Sequence, residues 1–246
     1  MVLRGVASTG SPSQVRRRAV LVGTLFVLLV VSLLIMQVAD RAGADADRCD
    51  RFAADSAARA AQVTGDESGE GRRVVVIGDS WSAGLGLDRT AGSWPSRLPG
   101  TVHVAGFSGS GFGAHASACA GVSFAARAPA AVRGGADLVV VEGGLNDFDR
   151  PDAEIRAGFS RLMRVLDGLP VVVVGPASAP SRAAAVPRVD DLLAALSDQH
   201  GVTYVRTSGL TLDYLDDRLH LTPEGHRAFG DFVAEQIAAQ TAGQIG

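Results

Sequence analysis

The sequence predicts an α/β sandwich with a mostly parallel five-stranded sheet, preceded by one N-terminal transmembrane helix. Three observations support this. One apolar run of membrane length lies near the N-terminus. From residue 72 onward, short β-branched apolar runs alternate with longer helix-compatible stretches. Those runs are continuously apolar, as in parallel strands covered on both faces.

Residues 1–15 are polar and rich in Gly, Ser and Pro, and Arg16, Arg17 and Arg18 complete a tail over 1–18. Residues 19–39 follow as an apolar run broken only by Thr24, Ser32 and Gln37. About 20 such residues cross a hydrocarbon core of about 30 Å. The arginines favour the cytoplasmic side, which sends the rest of the chain outward as a single-pass cell-membrane protein. The alternative is secretion after signal-peptide cleavage, with Ala42, Gly43 and Ala44 as the small-residue site. Signal-peptide cores run to about 7–15 residues, so the longer run favours the uncleaved anchor. Either way the following domain is extracytoplasmic.

Residues 40–71 read as a stalk and linker: 40–64 are rich in Ala, Asp and Arg, and 65–71 have turn composition. A compact domain is expected over 72–246. Cys49 and Cys119 both fall on the oxidising side, where a disulfide can persist. The sequence leaves the pairing open, the alternative being a stalk thiol and a buried thiol.

The expected strands are 74–77, 102–105, 138–141, 171–174 and 202–205, and the expected helices are 113–133, 152–167, 182–199 and 223–241. Thr222, Pro223 and Glu224 form a start signal for the last helix. The net charge is −3, no basic block follows the N-terminus, and aromatics make up 5% of the chain, so a nucleic-acid surface is unsupported and no nucleic-acid partner is expected.

Ligands on parallel sheets bind at the carboxyl ends of strands. Four such ends carry reactive or turn-forming residues. Gly78, Asp79 and Ser80 follow the first run; Gly106, Phe107, Ser108, Gly109, Ser110 and Gly111 follow the second. Gly143, Gly144, Leu145, Asn146 and Asp147 follow the third, and Asp217, Arg218, Leu219 and His220 lie beyond the fifth. A serine hydroxyl is a weak nucleophile until a base takes its proton. His220 is the candidate base, and Asp217 can reach its other ring nitrogen and fix the tautomer. The helix after Ser80, a glycine turn after the second strand and the Asn146 amide offer N–H donors to a developing oxyanion. These are the groups acyl transfer needs. His220, Glu224 and His226 lack the histidine spacing of a helical zinc motif.

In these four blocks, taken in order, the sequence resembles the SGNH hydrolase superfamily of GDSL-type esterases. Residues 78–84 resemble its first block, 104–109 its second, 144–147 its third and 217–220 its last. The likeness covers about residues 72–241. It implies a flavodoxin-like three-layer α/β/α fold, no metal and no organic cofactor. It gives Ser80 the nucleophile role and His220 and Asp217 the rest of a triad. Ser80, Gly109 and Asn146 become the oxyanion donors, Gly109 being placed ahead of Gly111 by spacing. Trp81 stands where the family often has Leu, and Val104 where it often has Asn.

The expected activity is hydrolysis of carboxylic esters, with lipid or cell-envelope acyl groups as substrates. Alternatives are an O-acetyl esterase or acyltransferase acting on envelope glycans, and a tethered binding module without catalysis. Asp79 is expected to hydrogen-bond behind the site and Asp147 to stabilise a turn. Glu142 reads as a buried, hydrogen-bonded neighbour. Trp81, Phe107, Phe112 and Phe148 either line an acyl pocket or pack.

Overall fold

A computed structural model describes residues 12–64 and 71–243. The expected tail up to residue 11 and the turn-rich segment 65–70 lie outside the described residues. Two compact units divide the chain between Arg48 and Cys49. The first holds the apolar part of helix α1 (Pro12–Ala60). Its large apolar side chains between Val22 and Val38 are exposed. This helix is long and apolar enough to cross a membrane, a property it shares with signal sequences.

The second unit carries the sheet. Its strands are β1 (Val63–Thr64), β2 (Arg73–Gly78), β3 (Thr101–Gly106), β4 (Leu138–Glu142), β5 (Val171–Val174) and β6 (Thr203–Val205), in the order β1-β3-β2-β4-β5-β6. The five runs read from the sequence are the parallel strands β2 to β6. Alternate side chains of each strand point to opposite faces, so β-branched residues at every position fill two cores at once. Val74 and Val76 join Val102, Val104 and Val140 on one face, against Phe229 and Val233 of α6 (Pro223–Gly243). Val75 and Ile77 join Val139 and Val141 on the other. There they meet α3 (Phe124–Ala131), α4 (Asp152–Val165) and α5 (Val186–Gln199) through Phe124, Phe159 and Leu193. Each buried Val or Ile contributes about 1.5–3 kcal/mol. A polar group mid-strand would forfeit that, which leaves the strand ends for chemistry. The start of α6 matches its sequence signal: Thr222 Oγ1 accepts the Gly225 N–H at 3.0 Å.

Two expectations need correction. Residues 113–123 were expected to be helical, but the helix there begins only at Phe124. Glycines at 113 and 121 weaken helix propensity within that stretch. In addition, Asp147 accepts the Phe112 and Gly113 N–H groups at 3.0 and 2.7 Å, giving this backbone partners from another loop. The domain boundary also differs. The compact unit starts at Cys49, not at residue 72. The last turns of α1 pack into it, Arg59 is fully buried, and β1 adds a sixth strand antiparallel to β3. Cys49 and Cys119, left open by sequence, are joined by a disulfide with Cα atoms 5.6 Å apart.

Candidate active site

Connections leave β2 and β4, adjacent in the sheet, toward opposite sides: β2 leads to β3 and β4 to β5. That reversal opens a crevice at the carboxyl ends of the strands. Ser80 opens the short helix α2 (Ser80–Ala83) directly after β2. The turn is tight because Asp79 caps the helix, its Oδ1 accepting the Trp81 N–H at 2.9 Å. Ser80 is 6% exposed, enough to present a hydroxyl at a surface without solvating it fully.

His220 reaches Ser80 across 140 positions of sequence, with Nε2 and Oγ 3.1 Å apart. Its Nδ1 faces Asp217 Oδ2 at 2.5 Å. The carboxylate makes Nδ1 the protonated nitrogen and leaves the Nε2 lone pair facing the serine hydroxyl. Asp217 Oδ1 accepts the Leu219 and His220 N–H groups, both at 2.9 Å. Partial burial works to raise the Asp217 pKa. The hydrogen bonds from the His220 ring and from these two amides outweigh it and hold the carboxyl below its usual range.

The loop carrying these residues folds back on itself. The Leu215 N–H donates to His220 O at 2.8 Å, and Arg218 adopts a left-handed conformation at φ 58°. Trp81 Nε1–H then donates to Leu219 O at 3.1 Å, tying this loop to the helix of Ser80. Trp81 thus links the Ser80 turn to the His220 loop.

After β3, residues 107–110 form a turn closed by the Ser110 N–H donating to Phe107 O at 3.1 Å. Gly109 holds its third position at φ 81°, which favours glycine. After β4, Gly144 at φ 118° turns the chain into a 3-10 segment, Leu145–Asp147. Asn146 Nδ2 donates to Asp79 Oδ2 at 3.1 Å and to Ser110 O at 2.9 Å. Asn146 therefore connects the ends of all three strands.

Two buried groups and one half-buried arginine beneath these loops were not read as site residues. Glu142, at the end of β4, accepts the Ser82 hydroxyl at 2.7 Å, while Trp94 Nε1–H donates to Ser82 Oγ at 3.1 Å. Arg127 of α3 donates to the carbonyls of Gly78, Ala105 and Val122 and to Ser110 Oγ. Burial lowers its pKa to about 10. Nothing in an Ala-rich helix marks that arginine as internal. His226 is buried, with Nδ1 accepting the Trp94 N–H at 3.3 Å. Burial and then the charge of His220 lower its pKa to about 4. Trp81, Phe107 and Phe112 are buried in packing roles, while Phe148 is half-buried beneath the Arg182 guanidinium at 3.8 Å.

The buried carboxyls give a pH dependence to stability. Burial raises Glu142 from 4.5 to about 7. Between those values the folded state holds a proton that the unfolded chain releases, so this contribution, full below pH 4.5, is lost as pH rises through about 7. Burial also raises Asp147, from 3.8 to about 6, with the same sign. His226, lowered from 6.5 to about 4, opposes both over that interval. Glu142→Gln should therefore flatten the decline, and the wild-type advantage in melting temperature over the variant should shrink between pH 4.5 and 7.5. A constant difference would mean the carboxyl does not titrate there.

The GDSL-like Lipase/Acylhydrolase family model matches residues 76–228. The chain belongs to this family. Among solved structures it is similar to a carbohydrate acetylesterase from Sinorhizobium meliloti, at 21% identity and a TM-score of 0.56, covering 69% of this chain and 99% of that one. The M. smegmatis aryl esterase is 20% identical with a TM-score of 0.55, covering 68% and 99%. A family two carbohydrate esterase from Clostridium thermocellum is 15% identical with a TM-score of 0.56, covering 70% and 65%. No curated protein sequence matches the chain. These structural likenesses concern the fold; the family match makes this GDSL-like protein a serine ester hydrolase.

Proposed function

We infer that Ser80, His220 and Asp217 form the catalytic triad and that the protein hydrolyses carboxylic esters in two acyl-transfer steps. The observation that carries this is the continuous hydrogen-bonded line from Ser80 Oγ through the His220 ring to Asp217. His220 Nε2 takes the proton as Ser80 Oγ attacks the carbonyl carbon. The Ser80 N–H, the Gly109 N–H and Asn146 Nδ2–H₂ share the oxyanion. Collapse of the intermediate expels the alcohol, which receives the proton from His220. Water, deprotonated by the same nitrogen, then attacks the acyl-enzyme and releases the acid.

Asn146 enters the reaction already oriented, because Asp79 and Ser110 O fix its amide. Both N–H bonds of the amide are engaged there, so one of them is exchanged for the oxyanion as charge develops. Asn146→Ala should lower kcat by about 10²–10³-fold with little change in KM. Steady-state kinetics checks this, and a kcat within a few-fold of wild type would remove Asn146 from the oxyanion site.

The exposed apolar run of α1, preceded by Arg16, Arg17 and Arg18, supports a single-pass anchor with the enzyme outside the cell. That location favours lipid or envelope acyl groups. O-acetyl removal from an envelope glycan is the second reading, favoured by the similarity to carbohydrate esterases. A fluorophosphonate probe tests the enzyme: it should label wild type at Ser80, whereas an inert module would not react. A p-nitrophenyl ester panel from C2 to C16 then separates the readings, a C2 preference indicating deacetylation and a long-chain preference indicating lipid substrates.

A further inference from the structure

The family match begins at residue 76. Folds such as the acetylesterase align over 99% of their length with 69% of this chain. Residues 49–62 precede the matched region, yet several of their contacts lie close to the loops around the candidate catalytic groups.

Cys49 is covalently joined to Cys119. The Cys119 N–H donates to Ser117 Oγ at 3.1 Å, and that hydroxyl lies against Gly109, 3.6 Å from where a Cβ would stand. Phe52 meets Phe107 edge to face, with ring centroids 6.2 Å apart. Phe107 opens the turn that carries Gly109, and its N–H donates to Gly78 O at 3.1 Å, next to the nucleophile turn. Farther along, the Arg59 guanidinium approaches Ser93 Oγ at 3.5 Å, and Ser93 Oγ–H donates to Ser82 O at 3.1 Å within the helix of Ser80. One contact from this segment therefore reaches the oxyanion turn directly, through Phe107, and two reach the turn and the helix of Ser80 through one further residue, Ser117 and Ser93.

We propose that residues 49–62 form a clamp that positions the oxyanion turn, with the Cys49–Cys119 bond and Phe52 acting on Gly109 through Ser117 and Phe107. This rests on the triad and oxyanion reading above. Cys49, Phe52 and Cys119 are positioning residues; none is proposed to touch substrate. A donor that acts only as charge develops affects kcat rather than KM. A displacement of about 1 Å costs about 10²-fold in rate.

The test uses the full chain in detergent micelles with p-nitrophenyl acetate. Wild type is compared with the same protein after reduction, with the Cys49→Ser/Cys119→Ser double variant and with Phe52→Ala, which keeps the disulfide. The expected result is a kcat lower by about 10–10²-fold, with KM within about twofold. Affinity for a trifluoromethyl ketone, which forms the tetrahedral adduct, should fall by the same factor, while affinity for the carboxylate product should not. Reoxidation should restore kcat. Thermal melting establishes that each form is folded, and if the double variant does not fold, Phe52→Ala decides. Wild-type kcat in a folded form, or a loss that only follows the unfolded fraction, overturns the clamp. Failure of wild type to label with fluorophosphonate would instead overturn the triad reading on which it rests.

Discussion

Ser80→Ala should leave a folded protein whose kcat on any ester is lower by about 10⁶-fold. The variant loses the only hydroxyl in contact with the His220 ring at Nε2 among the described residues. Two neighbouring serines cannot take its place. Ser82 Oγ–H donates to Glu142, and Ser110 Oγ–H donates to Phe107 O. Both hydroxyls are buried and turned away from the imidazole. The structural cost is small, because one hydrogen bond contributes about 0.5–1.5 kcal/mol and the methylene remains. The melting transition should therefore move little while turnover and fluorophosphonate labelling vanish. A folded variant that keeps even a hundredth of the native rate would require a different nucleophile. It would also remove the reason for Asn146 and Gly109 to be gathered here.

The fold was legible because its strands are almost pure β-branched runs buried on both faces. Val171–Val174 has no other reading once a helix-compatible segment stands on either side. The convergence at the candidate site was legible because parallel strands deliver their following loops to one edge, which brings together motifs far apart in sequence. What stayed hidden depends on long-range partners. A strand of two residues, Val63–Thr64, has no periodicity of its own and exists because β3 offers an open edge. Arg59 resembles the exposed arginines around it until its burial beside Ser93 is seen. Residues 113–123 carry helix-compatible alanines, but the Asp147 carboxylate supplies the acceptors that shape the backbone before them. The disulfide joins cysteines 70 positions apart, and only the packing of the last turns of α1 decides that they meet.

Asp217→Asn isolates the role of charge from that of shape. The substitution is nearly isosteric, and the side chain has two distinct tasks. Its Oδ1 accepts the Leu219 and His220 N–H groups, and its Oδ2 faces His220 Nδ1. An asparagine has one acceptor and one donor end. Pointing its NH₂ at two backbone amides would leave both without an acceptor, at about 1–3 kcal/mol each where buried. The amide oxygen therefore keeps the amides, and the NH₂ faces Nδ1. That nitrogen must then accept, which moves the ring proton to Nε2, where it opposes the Ser80 hydroxyl instead of receiving its proton. The expected result is a kcat lower by about 10⁴-fold with the fold intact, accompanied by loss of the downfield proton resonance of the His220 Nδ1–H···Asp217 bond. Asp216→Asn, one position away, should stay within a few-fold of wild type. If the two variants behave alike, Asp217 supports only the shape of its loop, and the imidazole must take its orientation from another group.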